Sequence, residues 1–406
     1  MTMLRIAMVG TRGVPAHYGG FETAIEEVGQ RLAAKGHEVT VYCRYVGEPG
    51  QVPDVHLGMK LVHLPAMHKR ALETLSHTGV SVLHLLRHRT DAAIVFNAAN
   101  APYLPLIRAA GIPVATHVDG LEWKRAKWNG MGKRYYRMVE ALAVKWSDLL
   151  IADAIGIQDY YRERFEADTV YLAYGAPIID GGAHHRLAEL ALQPRKYHLV
   201  VARFEPENHI HLIVEGYVRS NAVHPLVVVG SAPYSNAYTG LVHALGDQRV
   251  RFVGGVWDQE LLDQLYANAR VYWHGHSVGG TNPSLLRAIG SGAPTNAFDV
   301  DFNREVLAGA GRYFSDPDDV ASLVMQAEEP RGQAELAERG ALGRQLARRY
   351  DWDLVADGYE QLCLDLVAAK VSAPSRHARR TARRLAQHVI LGHQTPGAEP
   401  TPGARQ

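Results

Sequence analysis

Two series of short, continuous apolar runs constrain this chain more than any other feature: each run ends at a turn or glycine loop, and helical spacing follows. Residues 4–9 form such a run, bounded by Gly10, the pattern of a strand buried on both faces of a parallel sheet. Phe21, Ile25, Val28 and Leu32 then recur on one helical stripe, Gly36 ends the stripe, and residues 38–43 read as a second strand. Strand, helix and strand in so short a span is a βαβ unit with a right-handed crossover.

Residues 61–64, 93–97, 114–117 and 149–152 continue the first series less cleanly, as short β-rich runs next to polar or turn residues, and residues 199–202, 226–229, 250–253 and 271–273 make the second. Between them Pro177, Gly181, Gly182 and Pro194 break the register, as a linker does. The expected organisation is an N-terminal domain over 1–175, a linker over 176–195 and a C-terminal domain over 196–350. A closing helix over 351–370 would place Trp352, Val355, Tyr359, Leu362 and Leu366 on one face and pack back toward the N-terminal domain. The tail, 371–406, is first basic, with Arg376, Arg379, Arg380, Arg383 and Arg384, and then of low complexity. The fold class is α/β, an open parallel sheet built twice. Ligands of such sheets bind outside the carboxyl ends of the strands, so two facing domains would enclose a cleft there.

Charge and cysteines narrow the function classes. A formal net charge of +1 over 406 residues argues against a whole-protein nucleic-acid binder, whose domains carry a large basic excess. Cys43 and Cys363 lie far apart without metal-ligand spacing, which suits a reducing cytosol. The first apolar run is too short for a signal peptide, and no run reaches the length of a membrane span.

Three strand-to-helix loops carry the chemistry. GTRGVPAHYGGFE holds Gly10, Gly13, Gly19 and Gly20, the last two at a helix start where backbone N–H groups favour a phosphate. It lacks the G-x-G-x-x-G spacing of dinucleotide sites, and a glycine turn without a ligand is the plainer alternative. In VARFEPENHIHLIVEGY, Arg203 sits beside a helix start, placed for two-point bonding to a diphosphate or for an ion pair with Glu205 or Glu207. In HSVGGTNPSLLRAIGSG, Gly279, Gly280, Thr281 and Asn282 precede Pro283 and an apolar helix.

The chain resembles the family-4 retaining glycosyltransferases of GT-B fold, two Rossmann-like doubly wound domains facing across a cleft. The likeness runs through GTRGVPAHYGGFET, NAANAP, DGLEWKRAKW, ARFEPEN, VGSAPY, HSVGGTNPSLL and FNREVL, and is most specific to a subgroup similar to bacterial rhamnosyltransferases of surface-polysaccharide synthesis. The resemblance implies a nucleotide-diphosphate sugar in the C-terminal domain. Arg203 and Asn208 would lie near the diphosphate, Gly255 and Val256 near the base, and Gly279, Gly280, Thr281 and Asn282 near the sugar phosphates. It implies retention of configuration, no cofactor and no metal, with backbone dipoles and cations taking the leaving-group charge. Asn208 stands where many relatives have lysine, and Arg287 where the family's E-x7-E pattern has its second glutamate, the pattern's first position being Gly279. That glutamate is expected to accept from the ribose, and an arginine donates only. The outcomes are a weakened enzyme, one adapted to another donor, or a binding or scaffold protein. A sugar-nucleotide epimerase shares the fold.

On the acceptor side, Asp119 and His117 follow a strand where the resemblance puts the group that orients the acceptor; Asp119 as a plain helix cap is the alternative. Glu122, Trp123, Lys124, Arg125 and Trp128 open a basic and aromatic stretch that continues through Lys133, Arg134, Tyr135, Tyr136 and Arg137. Such a mixture suits an anionic membrane surface on the cytoplasmic side, where a polyprenyl-diphosphate-linked saccharide would be presented, and a solvated helix face is the plainer reading. No nucleic-acid recognition module is present. Asp299 and Asp301 read as turn residues, not as a metal-binding D-x-D.

Overall fold

The structure, a computed structural model, describes residues 2–16, 19–45, 53–67, 73–118, 120–125, 128, 130–179, 182–230 and 236–372. It contains two sheets. The first has eight strands: β1 (Arg5–Val9), β2 (Glu38–Arg44), β3 (Val55–His56), β4 (Met59–Leu64), β5 (Ala92–Phe96), β6 (Val114–His117), β7 (Leu149–Ala152) and β8 (Val170–Tyr171). Their order is β3-β4-β2-β1-β5-β6-β7-β8, parallel except for the β3-β4 hairpin. The second has six parallel strands: β9 (His198–Val201), β10 (Leu226–Val229), β11 (Val250–Gly254), β12 (Val271–His274), β13 (Thr295–Phe298) and β14 (Gly311–Phe314), in the order β11-β10-β9-β12-β13-β14. The fold is therefore two doubly wound α/β units.

Burial explains why the strands read as unbroken apolar runs. In β1, Ile6 and Met8 enter one hydrophobic core while Ala7 and Val9 enter another on the opposite face. Each position needs an apolar side chain because helices cover both faces. The helix Gly20–Ala34 lays Ala24, Ile25, Val28 and Leu32 on the first of these cores, with Phe21 partly buried at its start.

The helix Trp352–Ser372 returns to the first unit and packs against the helix Gly20–Ala34. Trp352, Val355, Tyr359, Leu362 and Leu366 are all buried there, in the core that holds Ile6 and Ile25. Arg31 pairs with Asp353 at 2.6 Å and Lys35 with Glu360 at 2.5 Å along the contact. The segment between the sheets is less open than its prolines and glycines suggest. It contains the 3-10 turn His185–Leu190, and Leu187 and Leu192 enter the core of the second unit.

Candidate functional site

The carboxyl ends of both sheets face one another, and His276, two residues past β12, lies at the meeting point. It is buried, and its Nδ1 is 2.8 Å from Asn208 Oδ1. Asn208 Nδ2 donates to the Arg203 carbonyl at 2.8 Å, which commits Oδ1 as the acceptor and puts the imidazole proton on Nδ1. Nε2 then carries the lone pair and faces Gly279, where an added Cβ would stand 3.2 Å away. Burial above all, and then the cations Arg125 and Arg203, hold the His276 pKa well below its ordinary value, so the ring is neutral at pH 7. The two arginines come from opposite units and act on the same imidazole.

The seam around His276 is built by close backbone approach. Gly279 has φ +130, a conformation L side chains rarely adopt, and the backbone of Gly120 lies directly against it. At Gly280 a Cβ would fall 1.9 Å from Asp153 Oδ1, so any side chain there would displace the Asp153 carboxylate or the loop. Thr281 Oγ1 donates to the Asp153 carbonyl across the same gap. Asn282 caps the helix Pro283–Gly290, its Oδ1 accepting from Ser284 N at 2.9 Å. Gly20, at the first helix start, lies beside Tyr174 and Pro283, which brings the first glycine loop to the third. Gly19 caps that helix without a side chain.

The stretch after β6 turns inward. Glu122 is 5% exposed, Arg125 Nε pairs with Glu122 Oε2 at 2.5 Å, and Arg125 Nη1 reaches Glu207 Oε1 of the second unit at 3.7 Å. Trp128 Nε1 donates to Glu122 Oε1 at 3.2 Å. Glu122 and Arg125 thus differ from the outward basic surface the sequence suggested, because each spends its charge on the seam. Trp123 lies outside this pair, with the Arg137 guanidinium 4.3 Å and the Lys124 ammonium 5.7 Å from its ring. Met131 and Met138 are exposed on the helix Gly130–Trp146 that follows.

His117 ends β6 and is enclosed by Phe21, Phe96 and Tyr174, with ring centroids at 5.0, 5.6 and 6.2 Å. Burial lowers its pKa to about 3. Asp119 lies outside the described residues, as do Lys127 and most of the VGSAPY stretch. Past β11, Gly255 is exposed, Val256 packs on the second unit's core and Trp257 presents an exposed ring beside it.

Arg287 stands on the second turn of the helix Pro283–Gly290 and pairs with Asp263 of the helix Gln259–Ala267. Asp263 also accepts from Gln259 Nε2 at 2.9 Å, and burial raises its pKa against the pull of Arg287. Its carboxylate, like Asp153, had no signal in the sequence, and the pairing of Glu207 with Arg125 had none either, because each of these contacts joins elements far apart in the chain. Asp299 is held two-pronged by Arg304, at 2.5 and 2.7 Å. Among the described residues, no three His, Cys, Asp or Glu side chains gather as a metal site.

Two family models match the sequence: Glycosyl transferases group 1 over residues 186–337, and a domain of unknown function, DUF1972, over residues 96–177. No curated protein matches it. Among solved structures, sucrose-phosphate synthase from Thermosynechococcus elongatus is similar at 19% identity and TM-score 0.78, over 90% of this chain and 99% of that one. HepE from Anabaena, in complex with UDP and glucose, is similar at 16% identity and TM-score 0.72, over 88% and 99%. An α,α-trehalose-phosphate synthase (UDP-forming) from Burkholderia xenovorans, in complex with glucose-6-phosphate, is similar at 11% identity and TM-score 0.69, over 88% and 100%. At these identities the likeness is one of fold, and the fold is that of GT-B glycosyltransferases.

Proposed function

We propose that this chain, which carries a glycosyl transferases group 1 domain in its C-terminal half, moves a sugar from a nucleoside-diphosphate donor to an acceptor hydroxyl in the cleft between its two units. The observation that carries the reading is the convergence on His276: Arg203 and Arg125 from opposite units, with the Gly279–Asn282 backbone beside them. A diphosphate at that point would meet the Arg203 guanidinium and the amides of a helix start, donors a departing nucleoside diphosphate needs, with Arg125 sharing its charge between that point and Glu122 and Glu207. Trp257 and Val256 would take the base.

The bond between the anomeric carbon and the diphosphate oxygen breaks, and the acceptor oxygen bonds to that carbon from the same face. The acceptor proton passes to the departing diphosphate, and the configuration is retained. Asp119, which follows β6 in the sequence, would orient the acceptor hydroxyl, while His117 is closed off inside its ring cluster. No metal is assigned, since the cations and backbone dipoles already oppose the developing charge. The transferred sugar would be rhamnose or another hexose, and the acceptor a glycan or lipid-linked saccharide of cell-surface polysaccharide. The helix Gly130–Trp146, with Lys133 and Arg134 near the exposed Met131, would meet anionic lipid on the cytoplasmic face.

The Arg287–Asp263 pair favours an active enzyme over a binding or scaffold protein. Arg287 cannot accept from a ribose hydroxyl, but it holds beside itself a carboxylate that can. The deciding experiment incubates the purified protein with a panel of nucleotide sugars and a lipid-linked acceptor, following nucleoside diphosphate release and the anomeric configuration of the product. Turnover with retention is expected. Nucleotide binding without turnover would favour the scaffold reading, and donor conversion without acceptor would favour an epimerase.

A further inference from the structure

A cavity of about 620 Å³ opens at the opposite end of the second sheet from the cleft. Its floor is the residues that lead into the strands: Arg195 and Lys196 before β9, His224 before β10 and Arg270 before β12. The helix Gly332–Ala347 walls it with Leu336 and Arg344. Because every strand of this sheet is parallel, a pocket at the amino ends cannot be part of a site at the carboxyl ends.

Three arginines and a lysine therefore share one cavity, and among the described residues no Asp or Glu lines it. Among the described residues none of the four makes an ion pair; their hydrogen bonds go to backbone carbonyls. Arg195 Nη1 donates to Ala269 O at 2.8 Å, Arg270 Nε to Ala327 O at 2.8 Å, Arg270 Nη1 to Arg195 O at 3.3 Å, and Arg344 to Ile179 O. Arg344 Nε is buried without a partner. Arg195 has φ +61, in the left-handed region, a strained setting for an arginine. Repulsion from Arg344 adds to burial in lowering the Arg195 pKa. The carboxylate of Glu328, next to Ala327, is taken by His198 and the amide of His224. Like charges gathered without counter-charge cost stability unless an anion meets them.

We propose that this cavity is a second binding site, for a phosphorylated small molecule of sugar-phosphate or nucleotide size. Its volume lies in the range of small-molecule sites. Guanidinium forks match phosphate oxygens two at a time, and Leu336 and Pro294 supply an apolar wall for the remainder. The site reaches the segment between the sheets as well: the arginine with the unpartnered Nε is the one that donates to Ile179, which itself donates to Gly290 at 3.2 Å, at the end of the helix from the third loop.

The test is a melting and calorimetric titration of the full chain with pyrophosphate and glucose 6-phosphate, and with glucose as the uncharged control. Both phosphates are expected to bind and raise the melting temperature, and glucose to do neither. Lys196→Glu and Arg344→Gln should each weaken, by about tenfold or more, the binding that remains in an Arg203→Ala background, where the cleft's own hold on a diphosphate is reduced. Should Arg344→Gln fail to fold for want of its bond to Ile179, Lys196→Glu decides alone. Absence of any shift in the Arg203→Ala background overturns the proposal, as does a shift there that persists when Lys196→Glu is added.

Discussion

Asn208 joins two loops of the second unit through one side chain, its Nδ2 donating to the Arg203 carbonyl at 2.8 Å and its Oδ1 accepting from His276 Nδ1 at 2.8 Å. At the position where many members of the resembled family have a lysine, this residue braces Arg203 and His276 against each other. Asn208→Ala would leave both partners unsatisfied in a buried setting, which costs about 1–3 kcal/mol. The expected outcome is a lower denaturation midpoint and donor binding about tenfold weaker, read by denaturant melts and nucleotide titration. A variant with unchanged stability would mean the brace carries no weight.

Acid should unfold the protein earlier than its carboxylates alone would. Burial holds His117 and His274 down to about 3 and His77 to about 4, from an unfolded value of 6.5. A depressed histidine is neutral in the folded state, while the unfolded chain takes up the proton below pH 6.5. Stability is therefore full above that value and falls as the pH drops from 6.5 toward the folded pKa. At pH 5 the loss is on the order of 2 kcal/mol per histidine. His117→Phe, within the ring cluster of Phe21, Phe96 and Tyr174, should flatten the curve by one histidine's share, which denaturant melts at pH 7.5, 6 and 5 would measure.

Restoring the glutamate of the resembled family at position 287 is expected to harm, not help. Arg287→Glu would set a second carboxylate against Asp263, which burial already disfavours as an anion. Donor affinity should fall about ten- to hundredfold, the equivalent of about 1–3 kcal/mol. Adding Asp263→Asn should return most of it, because one carboxylate and one neutral partner then remain. If Arg287→Glu alone binds the donor more tightly, Asp263 is not the acceptor.

Much of this could be read from the chain, and what escaped has a common cause. The run 226–229 declared its strand because both faces are covered and every residue is apolar, and 114–117 because all four residues are buried and short or β-branched at all but the last. β13 and β14 escaped because Asn296 and Arg312 interrupt them. Asn296 is tolerated in a buried strand only because Arg339, from a helix distant in sequence, donates to it at 2.8 Å. In the site, glycine loops and helix starts are local signals and were visible. The pairs Arg125–Glu207 and Arg287–Asp263 were not, since a charge's partner depends on which helices the fold sets side by side. Arg125 therefore read as part of a surface, and Arg287 as a misplaced cation.

Closure of the two units depends on residues that lack side chains. A Cβ at Gly280 would fall 1.9 Å from Asp153 Oδ1, a distance no rotamer of Ala relieves without moving the loop or the aspartate. Thr281 binds the Asp153 carbonyl next door, so a loop shift that clears the clash also strains that bond, and the other way out turns the Asp153 carboxylate from its place in the seam. Gly280→Ala should therefore leave the separate cores and the melting temperature nearly intact while parting the units at the seam. Scattering in solution would register a larger radius of gyration, and turnover would fall by two orders of magnitude or so, as misplacing reacting groups by about 1 Å can cost. Donor binding, which the second unit would hold largely by itself, should weaken far less. Equal losses in binding and turnover would instead place Gly280 in the donor contact and not in closure.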